Sequence, residues 1–139
     1  MKRVLFVCTH NAARSQIAEG LLKLLGKGDY DVSSAGLEPA DQVHPLAITA
    51  LHERFIDTTG MKTKKIDDEL LNQEFDLVIT VCDHAKDHCP VFPKAKETLH
   101  WSIKDPAEAK GSHGERLEVF RDTRREIEQL IKSKILETP

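Results

Sequence analysis

The chain has few cysteines and few aromatic residues, and it has no long apolar run. Its 139 residues include 3 cysteines, an odd number that argues against the disulfide framework of a small secreted domain. The apolar stretches are too short to cross a bilayer, and the one at the N-terminus is too short for a secretory signal. A net charge of -3 gives no reason to expect nucleic acid or an anionic membrane as a partner. We therefore expect a monomeric cytoplasmic protein with a single domain, residues 1–139.

The most informative segment is Cys8–Ser15. It follows an apolar run, Val4–Val7, that is typical of a buried strand, and it leads into a helical pattern. In a loop between a strand and a helix, backbone N–H groups converge on an anion, and Arg14 can bind two oxygens of a tetrahedral one. The same positive field predicts a lowered pKa for Cys8, so that its thiolate is the nucleophile. The sequence thus predicts an oxyanion-binding loop made of Thr9, His10, Asn11, Ala12, Ala13 and Arg14.

Strand-like and helical patterns alternate along the rest of the chain. After a first helix that ends at Gly26 and Gly28, they predict a strand at Tyr30–Gly36, a helix from Pro45 to about Phe55, a short helix at Ile66–Leu71, strands at Phe75–Val81 and Glu97–Trp101, and a helix from Glu115 to about Ile135. This alternation predicts an α/β fold, a three-layer sandwich with a four-stranded parallel sheet flanked by helices. Chemistry in such sheets gathers at the carboxyl ends of the strands. We therefore expect one edge of the sheet to collect Cys8, Ser34, Cys82 and the residues after Trp101.

Two further cysteines, Cys82 and Cys89, follow the strand at Phe75–Val81. With the histidines between them they could bind a metal, although their spacing does not match the Cys-x2–4-Cys pairs of zinc proteins. They could also be unreactive thiols of a solvated loop. A third interpretation is a redox pair. In a helix their Cα atoms would lie roughly 10 Å apart, beyond the limit of about 7 Å for a disulfide, so that bond would require the segment to unwind.

Asp105 precedes Pro106 just after the last predicted strand. An Asp-Pro pair is common in turns. At the carboxyl edge of the sheet, however, a partly shielded carboxyl group could act as a general acid and protonate a leaving oxygen. Both interpretations are compatible with the sequence.

These segments resemble the thioredoxin-coupled arsenate reductases, which share the fold of the low-molecular-weight protein tyrosine phosphatases. The similarity covers nearly the whole chain. It rests on Cys8–Gln16 with Ala18–Gly20, Ser34–Gly36, Asp76–Cys82, Cys89-Pro90, and His100-Trp101 with Asp105–Ala107. The loop and the Asp-Pro pair are shared with the phosphatases, whereas the cysteine pair and the His-Trp segment are specific to the reductases.

The resemblance implies arsenic detoxification by a disulfide relay, without a cofactor. Cys8 attacks arsenate held by the loop amides and Arg14, with Asp105 as the acid for the departing hydroxyl. Phosphate and sulfate would mimic the substrate. Cys82 then forms a Cys8–Cys82 disulfide and releases arsenite. Finally Cys89 forms the redox-active Cys82–Cys89 disulfide, which thioredoxin reduces.

The resemblance also assigns the surroundings of the loop. Ser15 stabilises the Cys8 thiolate, and Asn11 holds a left-handed turn. Some family members bind a potassium ion through an asparagine, a glutamate, a serine and an aspartate. Asn11, Glu19 and Ser34 match three of these, but Lys64 stands at the fourth, where its ammonium could replace the cation. We therefore predict no metal.

Two alternatives remain. A low-molecular-weight protein tyrosine phosphatase would use Cys8, Arg14 and Asp105 alone. Such enzymes flank their cleft with aromatic side chains that stack on a phenyl ring, whereas this chain has 1 Trp and 1 Tyr. A non-enzymatic sensor that binds arsenite through the cysteines would leave Arg14 and Asp105 without a role. The reductase is the preferred hypothesis.

Overall fold

The computed structural model describes residues 1–81 and 91–136, and in it four parallel strands form one sheet. The strands are β1 (Lys2–Cys8), β2 (Tyr30–Gly36), β3 (Phe75–Thr80) and β4 (Ala95–His100), in the order β2-β1-β3-β4. The helices are α1 (Arg14–Leu25), α2 (Pro45–His52), α3 (Asp68–Leu71) and α4 (His113–Lys134), and a 3-10 turn lies at Pro106–Glu108. The predicted fold class is confirmed.

Both faces of the sheet are covered, because successive side chains of a strand point to opposite sides. On one face Val4 and Phe6 of β1 pack in a large apolar core with α1, α2 and α4. On the other face Leu5 and Val7 pack in a smaller core with Phe75, Val78 and Phe92, next to α3. Each fully buried aliphatic or aromatic side chain contributes about 1.5–3 kcal/mol of hydrophobic free energy. Burial on both faces explains why the sequence of β1 contains a continuous apolar run.

Several predicted element boundaries shift for local reasons. Helix α2 ends before Phe55, which has a φ of 60° and is 93 % exposed, so it can neither continue the helix nor join the core. Helix α4 starts earlier than predicted, because Ser112 and Glu115 form a capping box at its N-terminus. Helix α3 is shorter than predicted, because the Asp67 side chain caps its first turn.

The register of the sheet places the predicted site residues. Cys8 pairs with Gly36 at the carboxyl ends of β1 and β2, and His100 at the end of β4 pairs with Thr80 of β3. Asp105 follows β4 toward the same edge. Cys82 and Cys89 lie outside the described residues. Within residues 1–81 and 91–136, no helix combines the length and apolar character needed to span a bilayer.

Candidate active site

The loop between β1 and α1 is held from outside by the segment that follows β2. Its carbonyl oxygens accept hydrogen bonds from backbone N–H groups of that segment: Leu37 to Cys8 at 3.2 Å, Glu38 to Thr9 at 2.8 Å, Ala40 to His10 at 2.9 Å and His44 to Ala12 at 2.9 Å. These bonds hold the loop in a fixed conformation as an extension of the sheet. That the loop binds an oxyanion stays a prediction.

Close packing against β2 requires glycine at position 36. A Cβ atom there would lie 2.9 Å from both the Asn11 nitrogen and the Thr9 oxygen, closer than such atoms approach. Asn11 itself has a φ of 51°, the left-handed conformation expected from the sequence. These two residues let the loop turn sharply directly above the end of β2.

The side chain of Asn11 donates hydrogen bonds to two hydroxyl groups. Its carbonyl oxygen accepts the Lys64 N–H at 2.9 Å and Gln16 Nε2 at 3.1 Å, which fixes the orientation of the amide. Its Nδ2 donates to Ser15 Oγ at 2.7 Å and to Ser34 Oγ at 3.0 Å. Ser15 Oγ also lies 2.9 Å from Cys8 Sγ, and either group can donate while the thiol is neutral. Once Cys8 is a thiolate the sulfur can only accept, so the Ser15 hydroxyl is then the donor.

The Cys8 thiol is buried, with 1 % of the residue exposed. Burial raises the pKa of Cys8, whereas the Ser15 hydroxyl, Arg14 and the Asn11 N–H, which donates to the sulfur at 3.1 Å, lower it. The lowered pKa predicted from the sequence is therefore wrong, because desolvation outweighs the donors. The donors that would stabilise a thiolate are nevertheless in place.

Arg14 and Asp105 meet at the same edge of the sheet. Arg14 is the first residue of α1; its Nη1 donates to the Ile103 oxygen at 3.0 Å, and its Nη2 lies 3.5 Å from Asp105 Oδ2. Asp105 Oδ1 accepts the Ala107 N–H at 3.0 Å and so also caps the 3-10 turn. The turn interpretation is confirmed, and the same carboxylate lies beside Arg14 at the cavity; its role as a general acid stays a prediction.

These groups surround a cavity of about 270 Å³. The predicted site residues that line it are Cys8, His10, Ala12, Ala13, Arg14 and Asp105. The side chain of Asn11 is buried behind the loop, and Thr9 contributes its carbonyl to the segment after β2. His44 and Gln42, which the sequence motifs do not single out, also line the cavity. The His44-Pro45 pair, a helix cap followed by a first-turn proline, is the signal that could have drawn attention to this position.

Comparison with known proteins identifies the family of this chain. The family described as low molecular weight phosphotyrosine protein phosphatase matches residues 3–137. The chain belongs to this family. Within it, the chain is 46 % identical over 132 residues to an arsenate reductase of Halalkalibacterium halodurans, covering 95 % of this chain and 94 % of that one. The resemblance stated from the sequence is therefore confirmed.

Solved structures agree with the placement in the phosphatase family. A structure described as an arsenate reductase in the phosphate binding state superposes with a TM-score of 0.82 at 35 % identity and covers 98 % of both chains. A thioredoxin-dependent arsenate reductase of Corynebacterium glutamicum superposes with a TM-score of 0.73 at 33 % identity, covering 99 % of this chain and 64 % of that one. The similarity extends over the sheet, the loop and the helices together.

Three residues that the resemblance assigns to a potassium site, Asn11, Ser34 and Glu19, lie together, and Lys64 lies beside them. Lys64 Nζ lies 3.9 Å from Glu19 Oε1, and Lys23 Nζ lies 2.6 Å from Glu19 Oε2. Ser34 Oγ donates to Glu19 Oε1 at 2.6 Å, so the ammonium groups are linked to the network behind Cys8. Burial lowers the pKa of Lys64 while Glu19 raises it. Two ammonium groups on one carboxylate do not fit a potassium ion.

Proposed function

We propose that the chain is an arsenate reductase that reduces arsenate to arsenite with Cys8 as the nucleophile. The observation that carries this proposal is the buried sulfur, which accepts a hydrogen bond from the Asn11 N–H and lies 2.9 Å from Ser15 Oγ, beside a buried arginine. The cavity of about 270 Å³ lies below the range of roughly 300–1,000 Å³ that is usual for drug-sized ligands. It suits a small tetrahedral oxyanion, and the relatives reported above carry the same activity in their names.

In the first step, arsenate binds to the N–H groups of the loop, and its oxygens compete with Asp105 for the guanidinium of Arg14. Cys8 attacks the arsenic atom. A sulfur–arsenic bond forms and an arsenic–oxygen bond breaks, and Asp105 donates a proton to the oxygen, which leaves as water.

The second part of the proposal is the relay through Cys82 and Cys89. The Cys82 thiolate attacks the sulfur of Cys8, the sulfur–arsenic bond breaks, and its electron pair stays on arsenic, which leaves as arsenite. Cys89 then attacks Cys82 and frees Cys8, and the dithiol of thioredoxin reduces the Cys82–Cys89 disulfide. One contact supports the first exchange, between Cys8 and Cys82. The Val81 N–H donates to the Val7 oxygen at 2.9 Å, so the chain approaches position 82 beside the residue that precedes Cys8.

The proposed setting follows from the same chemistry. Free thiols remain reduced in the cytoplasm, so we place the protein there, as a monomer of one domain. Thioredoxin is the proposed reductant, and no nucleic acid or membrane takes part. No metal is assigned beside Glu19, because the ammonium groups of Lys23 and Lys64 both lie against its carboxylate, and the proposed relay needs no cofactor.

The test is arsenate-dependent oxidation of NADPH coupled through thioredoxin reductase and thioredoxin. The wild type is expected to catalyse many turnovers. The variants Cys8→Ser, Cys82→Ser and Cys89→Ser are each expected to show no steady-state oxidation of NADPH. A single-turnover assay separates them, since Cys89→Ser should still release one arsenite per chain while Cys8→Ser releases none. An exposed control, Ser133→Ala near the end of α4, should behave as the wild type. Continued turnover by Cys82→Ser or Cys89→Ser would contradict the relay.

A phosphatase remains the second candidate, because Cys8, Arg14 and Asp105 suffice for it and the family is named for that activity. It predicts hydrolysis of p-nitrophenyl phosphate that is lost in Cys8→Ser but kept in Cys82→Ser and Cys89→Ser. A sensor predicts stoichiometric binding of arsenite without consumption of NADPH. The assays above distinguish the three functions.

A further inference from the structure

One side chain of the cavity wall has no role in the proposed reaction. His44 lines the same cavity as Cys8, Arg14 and Asp105. Its backbone N–H donates to the Ala12 oxygen of the oxyanion loop at 2.9 Å, so its position is tied to that of the loop. It is half-buried and stands at the N-terminus of α2.

The imidazole ring is held uncharged in one tautomer. His44 Nδ1 accepts the Leu46 N–H at 3.1 Å, so the proton of the neutral ring is on Nε2. A positive charge is disfavoured there, because protonation would remove the acceptor and place a cation at the positive end of a helix. Burial and Arg116 lower the pKa of His44, against a smaller opposing effect of Asp105. The ring is therefore neutral at physiological pH.

The ring is also fixed from behind. It packs on Phe120 of α4 with centroids 4.7 Å apart and an interplanar angle of 36°. Phe120 is completely buried, so it offers the histidine a rigid support. With the hydrogen bond to the cap on one edge and the phenyl ring on one face, His44 has little freedom to swing out of the cavity.

We propose that His44 is a specificity-determining residue, whose fixed ring limits the cavity to an inorganic tetrahedral oxyanion and excludes an aryl phosphate ester. This inference rests on the proposed function, since it concerns a class of substrate, the aryl phosphate esters, that the proposed arsenate site excludes. None of the described residues that line the cavity is a Phe, Tyr or Trp, so the wall offers a phenyl group no aromatic platform apart from the imidazole itself. An ester needs room beyond its phosphate group, and His44 occupies part of that space.

Two substitutions separate the ring from the helix cap. His44→Asn removes the ring but keeps a side-chain oxygen that can accept the Leu46 N–H, since asparagine is a preferred N-cap residue. His44→Phe keeps an aromatic ring but loses the cap. Asp67→Ala removes the cap of α3, outside the residues that line the cavity, and controls for the loss of a cap alone.

The experiment measures kcat/KM for p-nitrophenyl phosphate and, in the coupled assay, kcat/KM for arsenate. We expect His44→Asn to raise kcat/KM for the ester about tenfold or more, since pocket shape alone discriminates substrates by roughly 10–200-fold, and to lower it for arsenate. His44→Phe and Asp67→Ala should show no gain with the ester. Circular dichroism confirms that each variant is folded.

Two results would overturn the inference. One is an ester kcat/KM in His44→Asn that stays level or falls, which would mean that the ring does not exclude the aryl group. The other is an equal gain in His44→Phe, which would show that a ring at this position does not exclude the ester. A wild type inactive with arsenate, together with a gain of ester hydrolysis in His44→Asn, would refute the reductase and leave the role of His44 standing.

Discussion

The guanidinium of Arg14 lies 3.5 Å from the carboxylate of Asp105, with both side chains mostly shielded from solvent. A second nitrogen of Arg14 donates to the Ile103 oxygen, so the guanidinium is held between a carbonyl and a carboxylate. An oxyanion in the loop would compete with Asp105 for the same donor. The acid of the proposed reaction and the ligand for its substrate are thus coupled through one arginine.

This coupling predicts opposite effects of Asp105→Asn on binding and on chemistry. Phosphate should bind more tightly, because the carboxylate no longer competes for Arg14 or repels the anion. The single-turnover release of arsenite should slow by about 10²–10⁴-fold, the usual contribution of a general acid. Calorimetry with phosphate and rapid-quench measurements test the two parts. An Asp105→Asn variant with unimpaired chemistry would remove Asp105 from the mechanism.

Ser15→Ala should make the nucleophile harder to ionise. The Ser15 hydroxyl lowers the pKa of Cys8, which burial has already raised, so its loss should shift the pKa further upward. Alkylation of Cys8 by iodoacetamide at neutral pH should slow, and the midpoint of its pH dependence should move to higher pH. Ser33→Ala, one residue from Ser34 on β2 but on the opposite face of the strand, is the matched control. An unchanged midpoint in Ser15→Ala would refute the role of the hydroxyl.

The position of Lys64 predicts indifference to potassium. With its ammonium 3.9 Å from Glu19, the wild type should show the same melting temperature and the same activity in KCl and in NaCl of equal ionic strength. Lys64→Met should lower the melting temperature, because it leaves Glu19 with Lys23 as its one cationic partner among the described residues. That variant should also regain some stability in KCl over NaCl. A sharp rise of wild-type activity or melting temperature with potassium would contradict the proposal.

The ion pairs between α2 and α4 predict a pH-dependent part of the stability. Glu53 accepts hydrogen bonds from Arg121 and Arg124, and these arginines lower its pKa from 4.5 to about 2. A carboxyl group with a depressed pKa in the folded state stabilises the protein above its ordinary pKa and loses this effect as the pH falls toward the folded value. Glu53→Gln should therefore lower the melting temperature at neutral pH, and the difference should vanish between about pH 4.5 and about pH 2.

The control for this prediction is Glu126→Gln. Glu126 is exposed on α4 and forms no ion pair with the residues that the structure describes. Its substitution should change the melting temperature little at any pH. A Glu53→Gln difference that persists unchanged at pH 2 would show that the ion pairs are not its cause.

Local patterns in the sequence were sufficient to predict the order of strands and helices along the chain, the parallel sheet, and the loop that joins β1 to α1 at its carboxyl edge. The apolar run Val4–Val7 predicted a buried strand, because both faces of β1 are covered. Cys8 and Arg14 predicted a site, because five residues separate them at a strand-to-helix junction. Periodicity and short-range spacing are properties of the amino-acid sequence, so these features can be predicted without a structure.

Tertiary packing decided the rest. The raised pKa of Cys8 depends on how deeply the sulfur is buried, and the contact of Lys64 with Glu19 joins positions far apart in the chain. The stacking of His44 on Phe120 likewise brings α2 against α4. Desolvation and long-range contacts depend on which surfaces meet in the folded protein. The amino-acid sequence therefore determined the kind of chemistry, whereas the packing of the helices determined how the nucleophile is tuned and which residues surround it.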